Sequence, residues 1–246
     1  MAMHMGGMAA MREELRWQPI HARVRALARG DRRVVADTTA AVLVWEPGHY
    51  VPSYAIPGVD VAVALVAAEQ PSDEHTAPGT EFVAGGDETR RGSVYRLSDP
   101  DLASYFVFTH DDFEWLEEDD EVIGHPRDPY HRVDVRRSSR HVRIVAGRDV
   151  LVDTTRARML FETGFPFARL YVPREDVAVP LTATDARSVC PYKGEASYWT
   201  AEVGGRLLTD VAWTYDAPLD GAAAIAGLVC FYHERFETTI DPAPNT

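Results

Sequence analysis

The chain of 246 residues repeats itself in order, and this internal repeat constrains its fold more than any other feature. Asp37-Thr38-Thr39 recurs as Asp153-Thr154-Thr155, at an offset of 116 residues. The segment DVAVAL at 60–65 recurs as DVAVPL at 176–181, at the same offset. Two blocks in the same order with one offset indicate that a unit has been copied within the chain.

A later block returns in the same way. Phe108 and His110 correspond to Phe231 and His233, at an offset of 123 residues. The nearly equal offsets predict a tandem duplication of a unit of roughly 110 residues. We therefore expect a disordered leader at 1–15, a first and degenerate repeat at 16–122, a linker at 123–139 and a second repeat at 140–246.

Both repeats begin with alternating, β-branched runs that meet at a tight turn. The turn falls at Gly30-Asp31 in the first repeat and at Gly147-Arg148-Asp149 in the second. Such runs, bounded by glycine and aspartate, are hairpin signals. Helical stretches are short, at 100–104 and at the Ala-rich 222–228. The pattern predicts a mainly β fold with short helices, arranged as two tandem homologous small β domains.

Composition and charge argue against several classes of function. The chain has 38 Asp and Glu against 25 Lys and Arg, a net charge of −13, whereas binding to nucleic acid needs a basic face. The longest apolar run, 221–232, is about half of the roughly 20 residues that a membrane span needs. No secretory signal is apparent, and two cysteines are too few for a disulfide framework. We expect a cytoplasmic protein without nucleic acid or membrane as its partner, whose sheet edges permit a homodimer.

One basic residue differs from all the others. Of the 25 Lys and Arg residues, 24 are arginine and one is Lys193. An ammonium group is compact and responds readily to burial, whereas a guanidinium stays charged. A lone lysine in such a chain therefore indicates a role that arginine cannot fill.

Lys193 lies in a tract that the first repeat lacks. The tract at 188–199 reads SVCPYKGEASYW, whereas the corresponding stretch at 67–75 contains no Cys, Lys or Tyr. We expect features of both copies to hold the fold and features of one copy to do something specific. The tract predicts an aromatic-lined pocket for a small molecule in the second repeat. The candidate catalytic residues are Cys190 and Lys193, and the candidate ligand-binding residues are Tyr192, Tyr198, Trp199, Trp213, Tyr215, Glu162 and Tyr171.

The residues leave the chemistry of these candidates open. Cys190 is either a nucleophile, activated by a nearby positive charge, or a small packed residue before a rigid proline. Lys193 could bind an anion or a carbonyl group, form a Schiff base, or pair with a buried acid such as Glu162 or Asp210. Cys230 and His233 have a spacing that suits a pair of metal ligands. Burial of Cys230 in the apolar core is the simpler interpretation, so that no metal is predicted. The sequence indicates no cofactor.

Two functions from different classes follow. The first is a pocket, with or without catalysis, for an anionic or carbonyl-bearing metabolite. The second is a non-catalytic protein-interaction or structural module in which CPYKG is a rigid turn. The Asp-Thr-Thr corners and the pair His110 and His233 occur in both copies and are therefore interpreted as structural.

The tract CPYKGEASYW resembles the signature of the domain of unknown function 427 family. The resemblance extends to LFETGFP, LYVPREDV, TDVAWTY and IAGLVCFYHERF, and the acidic join resembles that of two-copy members. It implies small, mainly β, tent-like domains with the pocket in the second repeat, because the first repeat departs from the signature tract. The family carries a nucleotidyltransferase-like label, and the sequence has no GxxxxGK(S/T) loop to support it.

Overall fold

The chain forms two compact units in the computed structural model, which describes residues 13–70, 74–85 and 92–241. The first unit is Met1–Asp128, and the second unit is Pro129–Thr246. Residues 1–12 of the predicted leader lie outside the described residues. The named strands pair antiparallel, with short 3-10 turns between them, which confirms the predicted mainly β fold.

The first unit contains two sheets. Its strands are β1 (Arg16–Pro19), β2 (Val24–Ala28), β3 (Val34–Thr38), β4 (Val42–Trp45), β5 (Ser53–Pro57), β6 (Leu65–Ala67), β7 (Gly79–Ala84), β8 (Gly92–Leu97), β9 (Tyr105–Phe108), β10 (Phe113–Glu117) and β11 (Asp120–Glu121). The larger sheet has the order β1-β4-β5-β9-β8-β7-β6, and the smaller one has the order β11-β10-β2-β3. Its 3-10 turns are Gly58–Asp60, Pro100–Leu102 and His110–Asp112.

The second unit also contains two sheets. Its strands are β12 (Val133–Arg137), β13 (Val142–Ala146), β14 (Asp149–Thr154), β15 (Arg158–Glu162), β16 (Arg169–Val172), β17 (Leu181–Cys190), β18 (Gly194–Val203), β19 (Arg206–Thr214), β20 (Val229–Phe231) and β21 (Glu237–Ile240). The larger sheet has the order β12-β15-β16-β20-β19-β18-β17, and the smaller one has the order β14-β13-β21. Its 3-10 turns are Arg174–Asp176, Asp220–Ile225 and His233–Arg235.

The larger sheets order their strands alike. In each unit the first and last positions of the sheet hold corresponding strands, β1 and β12 at one edge and β6 and β17 at the other. The units differ in strand length: β6 has three residues, whereas β17 has ten. The second unit thus extends the hairpin whose turn carries the CPYKG tract.

The segment predicted as a linker, 123–139, is partly a strand. The units divide between Asp128 and Pro129, and β12 pairs with β15 along the edge of the larger sheet. Arg136 forms an ion pair with Asp134 on this edge, at 2.9 Å. An edge strand that carries charges lacks the apolar alternation of a core strand. The sequence of this segment is therefore typical of a linker, although part of it forms β12.

Alternating residues of the second unit's larger sheet belong to two different apolar clusters. Leu170, Val172 and Ala212 face the cluster shared with the smaller sheet, whereas Tyr171 and Trp213 belong to another cluster. Because neighbouring strand residues point to opposite faces, these clusters lie on opposite faces of the sheet. The second of them, which we call the outer cluster, consists of Leu160, Tyr171, Ala196, Trp213, Tyr215, Ala222, Ile225 and Cys230.

The threonine of each Asp-Thr-Thr corner joins two segments of its unit. Thr38 Oγ1 donates to Asp60 Oδ2 at 2.6 Å, and Thr154 Oγ1 donates to Asp176 Oδ2 at 2.5 Å. Each hydroxyl also accepts a hydrogen bond from the backbone N–H two residues later. Both threonines are buried, so that these corners hold the fold, as predicted from their presence in both copies.

Burial lowers the pKa of His233 below its ordinary value of 6.5. Glu234 and Arg169 act on this ring in opposite directions, and Phe167 packs edge-on against it. The folded state keeps the ring neutral at pH values where the unfolded chain binds a proton. Stability is therefore expected to fall as the pH drops below about 6.5, because the unfolded chain then binds a proton that the folded ring does not.

The variant His233→Gln tests this pH dependence. We expect its urea midpoint to change less than that of the wild type between pH 8 and pH 5.5. His21→Gln, at an exposed position, is the control and should behave as the wild type. Equal pH dependence of wild type and His233→Gln would contradict the assignment.

Candidate functional site

The CPYKG tract forms the turn between β17 and β18. The backbone N–H of Lys193 donates to the carbonyl of Cys190 at 3.2 Å, and Cys190 pairs with Gly194 across the hairpin. Pro191 takes the second position of this turn, where its fixed φ fits. Gly194 has a φ of 96°, in the left-handed region that favours glycine. A three-residue loop closed by such a glycine is a common hairpin turn.

The turn packs into its unit. Pro191, Lys193 and Gly194 are all buried, and Lys193 is 7% exposed. The backbone N–H of Leu219 donates to the carbonyl of Lys193 at 3.1 Å, which ties the turn to the segment before the 3-10 turn Asp220–Ile225. The only lysine of the chain is therefore held in the interior by backbone geometry.

The ammonium of Lys193 forms a buried ion pair with Glu162 of β15. Nζ donates to Oε1 of Glu162 at 2.5 Å, and the two side chains are 9% and 6% exposed. His131 Nε2 lies 3.1 Å from the same oxygen, and its ring stacks on Tyr192 with centroids 4.0 Å apart. The pairing with Glu162 is one of the predicted interpretations of Lys193, whereas Asp210 accepts from Thr184 instead.

An ammonium group has three N–H donors. Within the described part of the chain, Glu162 is the acceptor recorded for Lys193 Nζ. The arrangement can therefore present further donors from Nζ to a small molecule that reaches it. The side chain of His131, 19% exposed, is the more accessible neighbour of this pair.

The charge of Glu162 acts on Tyr171 and Tyr215, two buried aromatic residues of the outer cluster. Trp213 Nε1 donates to the hydroxyl of Tyr171 at 3.1 Å, in fully buried surroundings. Burial raises the pKa of Tyr171, and it also raises the pKa of Tyr215 and of the Cys230 thiol. At neutral pH these three groups are uncharged.

The predicted nucleophile, Cys190, closes β17 at the side of this cluster. Its side chain is partly exposed and packs against the cluster, whereas Cys230 is fully buried. Tyr198 is also partly buried there, and its hydroxyl lies 2.7 Å from Ser188 Oγ. Cys190 and Tyr198 thus form the accessible border of the outer cluster.

Residues 134–242 match the family model described as Domain of unknown function (DUF427). The second unit is a DUF427 domain. This agrees with the resemblance of the CPYKGEASYW tract to that family. No curated protein matches the chain.

Trp199 is not part of the outer cluster of the DUF427 unit. It pairs with Ala212 and packs against the core shared with the smaller sheet. Its Nε1 donates to Thr214 Oγ1 at 3.2 Å, and the guanidinium of Arg174 lies 3.9 Å from its ring centroid. Trp199 therefore lies on the opposite face of the sheet from the other candidate ligand-binding residues of this strand, because neighbouring residues of a strand face opposite sides of the sheet. The structure brings together the other candidates: Glu162, Tyr171, Cys190, Tyr192, Lys193, Tyr198, Trp213 and Tyr215.

Two residues near the outer cluster, His131 and Arg169, could not be identified as site neighbours from the sequence pattern. His131 falls in the segment interpreted as a linker and approaches Glu162 because β12 pairs with β15. Arg169 lies over the Trp213 and Tyr232 rings and donates to both carboxylate oxygens of Glu234, at 2.9 and 2.8 Å. Both contacts depend on strand register, which composition does not reveal.

The first unit holds a different group opposite the corresponding glutamate. The two hairpins can be aligned by their strand pairing, because Phe82 pairs with Ala67 as Trp199 pairs with Ala183. In this alignment Thr76 takes the position of Lys193. The alignment differs from the one suggested by the sequence, which matched 188–199 with 67–75, because β17 is longer than β6.

Glu46, the corresponding glutamate of the first unit, is held by a histidine ring and backbone N–H groups and not by an amine. Its carboxylate lies 2.6 Å from His75 Nδ1 and accepts from the backbone N–H groups of Thr76 and Ala77. These hydrogen bonds lower the pKa of Glu46 against the effect of its burial. The DUF427 unit differs in that a side-chain ammonium faces its glutamate.

A polar cleft of about 420 Å³ lies in the first unit. Arg29 and Arg32 line it together with His110, Trp115 and Glu121. Arg32 forms ion pairs with Glu114 and Glu121, at 2.5 and 3.2 Å. Because Arg32 is already paired with two carboxylates and Arg29 donates to the backbone carbonyl of Asp111, the cleft gives no indication of a particular ligand.

Two further findings concern the described residues alone. Among residues 13–70, 74–85 and 92–241, no group of three or more His, Cys, Asp or Glu side chains could hold a metal ion. In the same part of the chain, no helix has the length and apolar character needed to cross a bilayer.

Proposed function

We propose that the DUF427 unit binds a small metabolite that is anionic or carries a carbonyl group, at the ammonium of Lys193. Tyr171, Trp213 and Tyr215 would form the apolar floor of the site, with Cys190 and Tyr192 at its border. Whether Cys190 and Lys193 also catalyse a reaction is left to the experiment.

One observation carries this proposal. The chain has a single lysine, and its ammonium is buried beside aromatic side chains with donors beyond the one that Glu162 accepts. Arginine supplies the positive charge everywhere else in the chain, so that charge alone does not account for a lysine here. Ligand sites commonly combine an apolar lining with a few polar groups of this kind.

Lys193→Arg tests the role of the amine. The variant keeps a positive charge opposite Glu162 but changes its shape, so that we expect a folded protein that loses its ligand. The measurement is native mass spectrometry of both proteins after purification from the original host, supported by melting curves with lactate, pyruvate, phosphate and propanal as probes. Arg143→Lys, at a half-exposed position of the same unit, is the control. Equal ligand occupancy in wild type and Lys193→Arg would contradict a role of Lys193 in ligand binding.

The alternative function is a non-catalytic interaction module. The observation in its favour is that CPYKG is a compact turn whose lysine is already paired with Glu162. If no probe shifts the melting curve and no molecule is retained, this alternative is favoured. Binding of a partner protein should then survive Lys193→Arg.

We also propose that the two units arose by tandem duplication and that the first is a degenerate copy. The same strand order and the recurring threonine corners support this origin. The further proposals are a cytoplasmic location, no nucleic acid or membrane as partner, and sheet edges that permit a homodimer. The acidic net charge of −13 supports the exclusion of nucleic acid.

A further inference from the structure

We infer that the ligand of the Lys193 site is a neutral carbonyl compound, such as an aldehyde, ketone, ester or amide, and that carboxylates are excluded. This inference rests on the proposed function and selects one of its two ligand classes. Its basis is the balance of charges around the outer cluster, taken group by group.

The two largely buried cations at this cluster each have a carboxylate of their own, whereas Arg235 lies at the exposed border, with its guanidinium 4.1 Å from the centroid of the Tyr232 ring. Lys193 is paired with Glu162, and Arg169 is held by both oxygens of Glu234. The side chain of Arg169 is 13% exposed and that of Glu234 is 33% exposed, so that the second pair is also largely withdrawn from water. These two buried ion pairs together carry no net charge.

The remaining groups at the cluster add no charge at neutral pH. Tyr171, Tyr215 and Cys230 are buried, and burial disfavours their charged forms. Tyr232 is partly buried, and burial together with Tyr198 raises its pKa as well. His131 also lies at this pair, with its Nε2 atom 3.1 Å from Oε1 of Glu162.

An anionic ligand would therefore bring an unbalanced charge to a buried site. Removing a carboxylate from water is costly unless a cation is free to receive it, and Glu162 already occupies Lys193. A neutral carbonyl oxygen can accept a hydrogen bond from the remaining N–H donors of Nζ without disturbing the ion pair. The aromatic floor then packs against the rest of the ligand.

Matched pairs of small probes decide between the two classes. Propanamide and propanoate have nearly the same shape and differ in charge, as do pyruvamide and pyruvate. Binding to the full chain is measured by NMR titration, through the indole N–H of Trp213 and the backbone amides of the CPYKG turn. We expect each neutral probe to bind at least about tenfold more tightly than its anion.

Glu162→Gln should reverse this preference, because it frees the positive charge of Lys193 for a carboxylate. Glu195→Gln is the matched control, since Glu195 lies on the same hairpin with a side chain 66% exposed. If Glu162→Gln does not fold, the wild-type comparison alone decides.

The outcomes separate this inference from the proposed function. Tighter binding of the anions by the wild type, lost in Lys193→Arg, would overturn the inference and support the proposed function. An unchanged preference in a folded Glu162→Gln variant would also overturn the inference. If no probe binds, or if binding is unaffected by Lys193→Arg, both the inference and the proposed function fail.

Discussion

Replacing Lys193 by methionine is expected to destabilise the DUF427 unit by about 3–5 kcal/mol, the usual cost of removing one partner of a buried ion pair. The reason is that Glu162, with a side chain 6% exposed, would keep its charge without the ammonium that lies 2.5 Å away. The expected loss is larger than that from any exposed pair of the unit. Urea unfolding followed by tryptophan fluorescence measures it.

The double variant Lys193→Met/Glu162→Gln separates the ion pair from the packing of the lysine stem. Removing both charges should recover most of the lost stability, because a neutral pair in this place costs little. Arg143→Met, which breaks a half-exposed pair with Asp153, is the control and should cost far less. If the double variant is as unstable as Lys193→Met alone, the loss comes from packing and not from the unpaired charge.

Truncating Phe231 to alanine is the second large effect, with an expected cost of about 3–5 kcal/mol. Phe231 is 1% exposed and packs in the core shared by both sheets of the DUF427 unit. Removing its ring leaves a cavity that the surrounding strands can fill only in part. The measurement is hydrogen exchange, in which the amides of residues 129–241 should lose protection.

Phe108→Ala provides the matched variant in the first unit. Phe108 is 0% exposed, and Phe113 and Trp115 contact its ring at centroid distances of 5.1 and 5.9 Å. We expect this variant to lose protection within residues 13–128 instead. Loss of protection in the same residues for both variants would contradict the division of the chain into two units.

The proposed site connects these stability effects to function. Lys193 and Glu162 stabilise the turn and also form the polar part of the proposed ligand site, so that Lys193→Met should affect both. Lys193→Arg and Glu162→Gln are therefore the more informative changes for binding. Each is to be compared with a control at an exposed or half-exposed residue of the same unit.

The sequence alone determined the fold class and the position of the candidate site. Alternating runs that end in glycine turns predict hairpins, and Gly147-Arg148 indeed forms the two-residue turn between β13 and β14. The single lysine singled out the CPYKG turn, which the structure buries. The hairpin predictions succeeded because turns and alternation depend on residues close together in the chain.

Only the tertiary structure decided which side chains meet. Tyr198 and Trp199 are neighbours in sequence, but one faces the outer cluster and the other the core on the opposite face. His131 reaches Glu162, 31 residues later, because β12 pairs with β15 in one register. Strand register is set by long-range pairing, and a shift of one residue would turn every side chain to the other face. The physical reason is therefore that local sequence determines strands and turns, whereas pairing between distant strands determines the site.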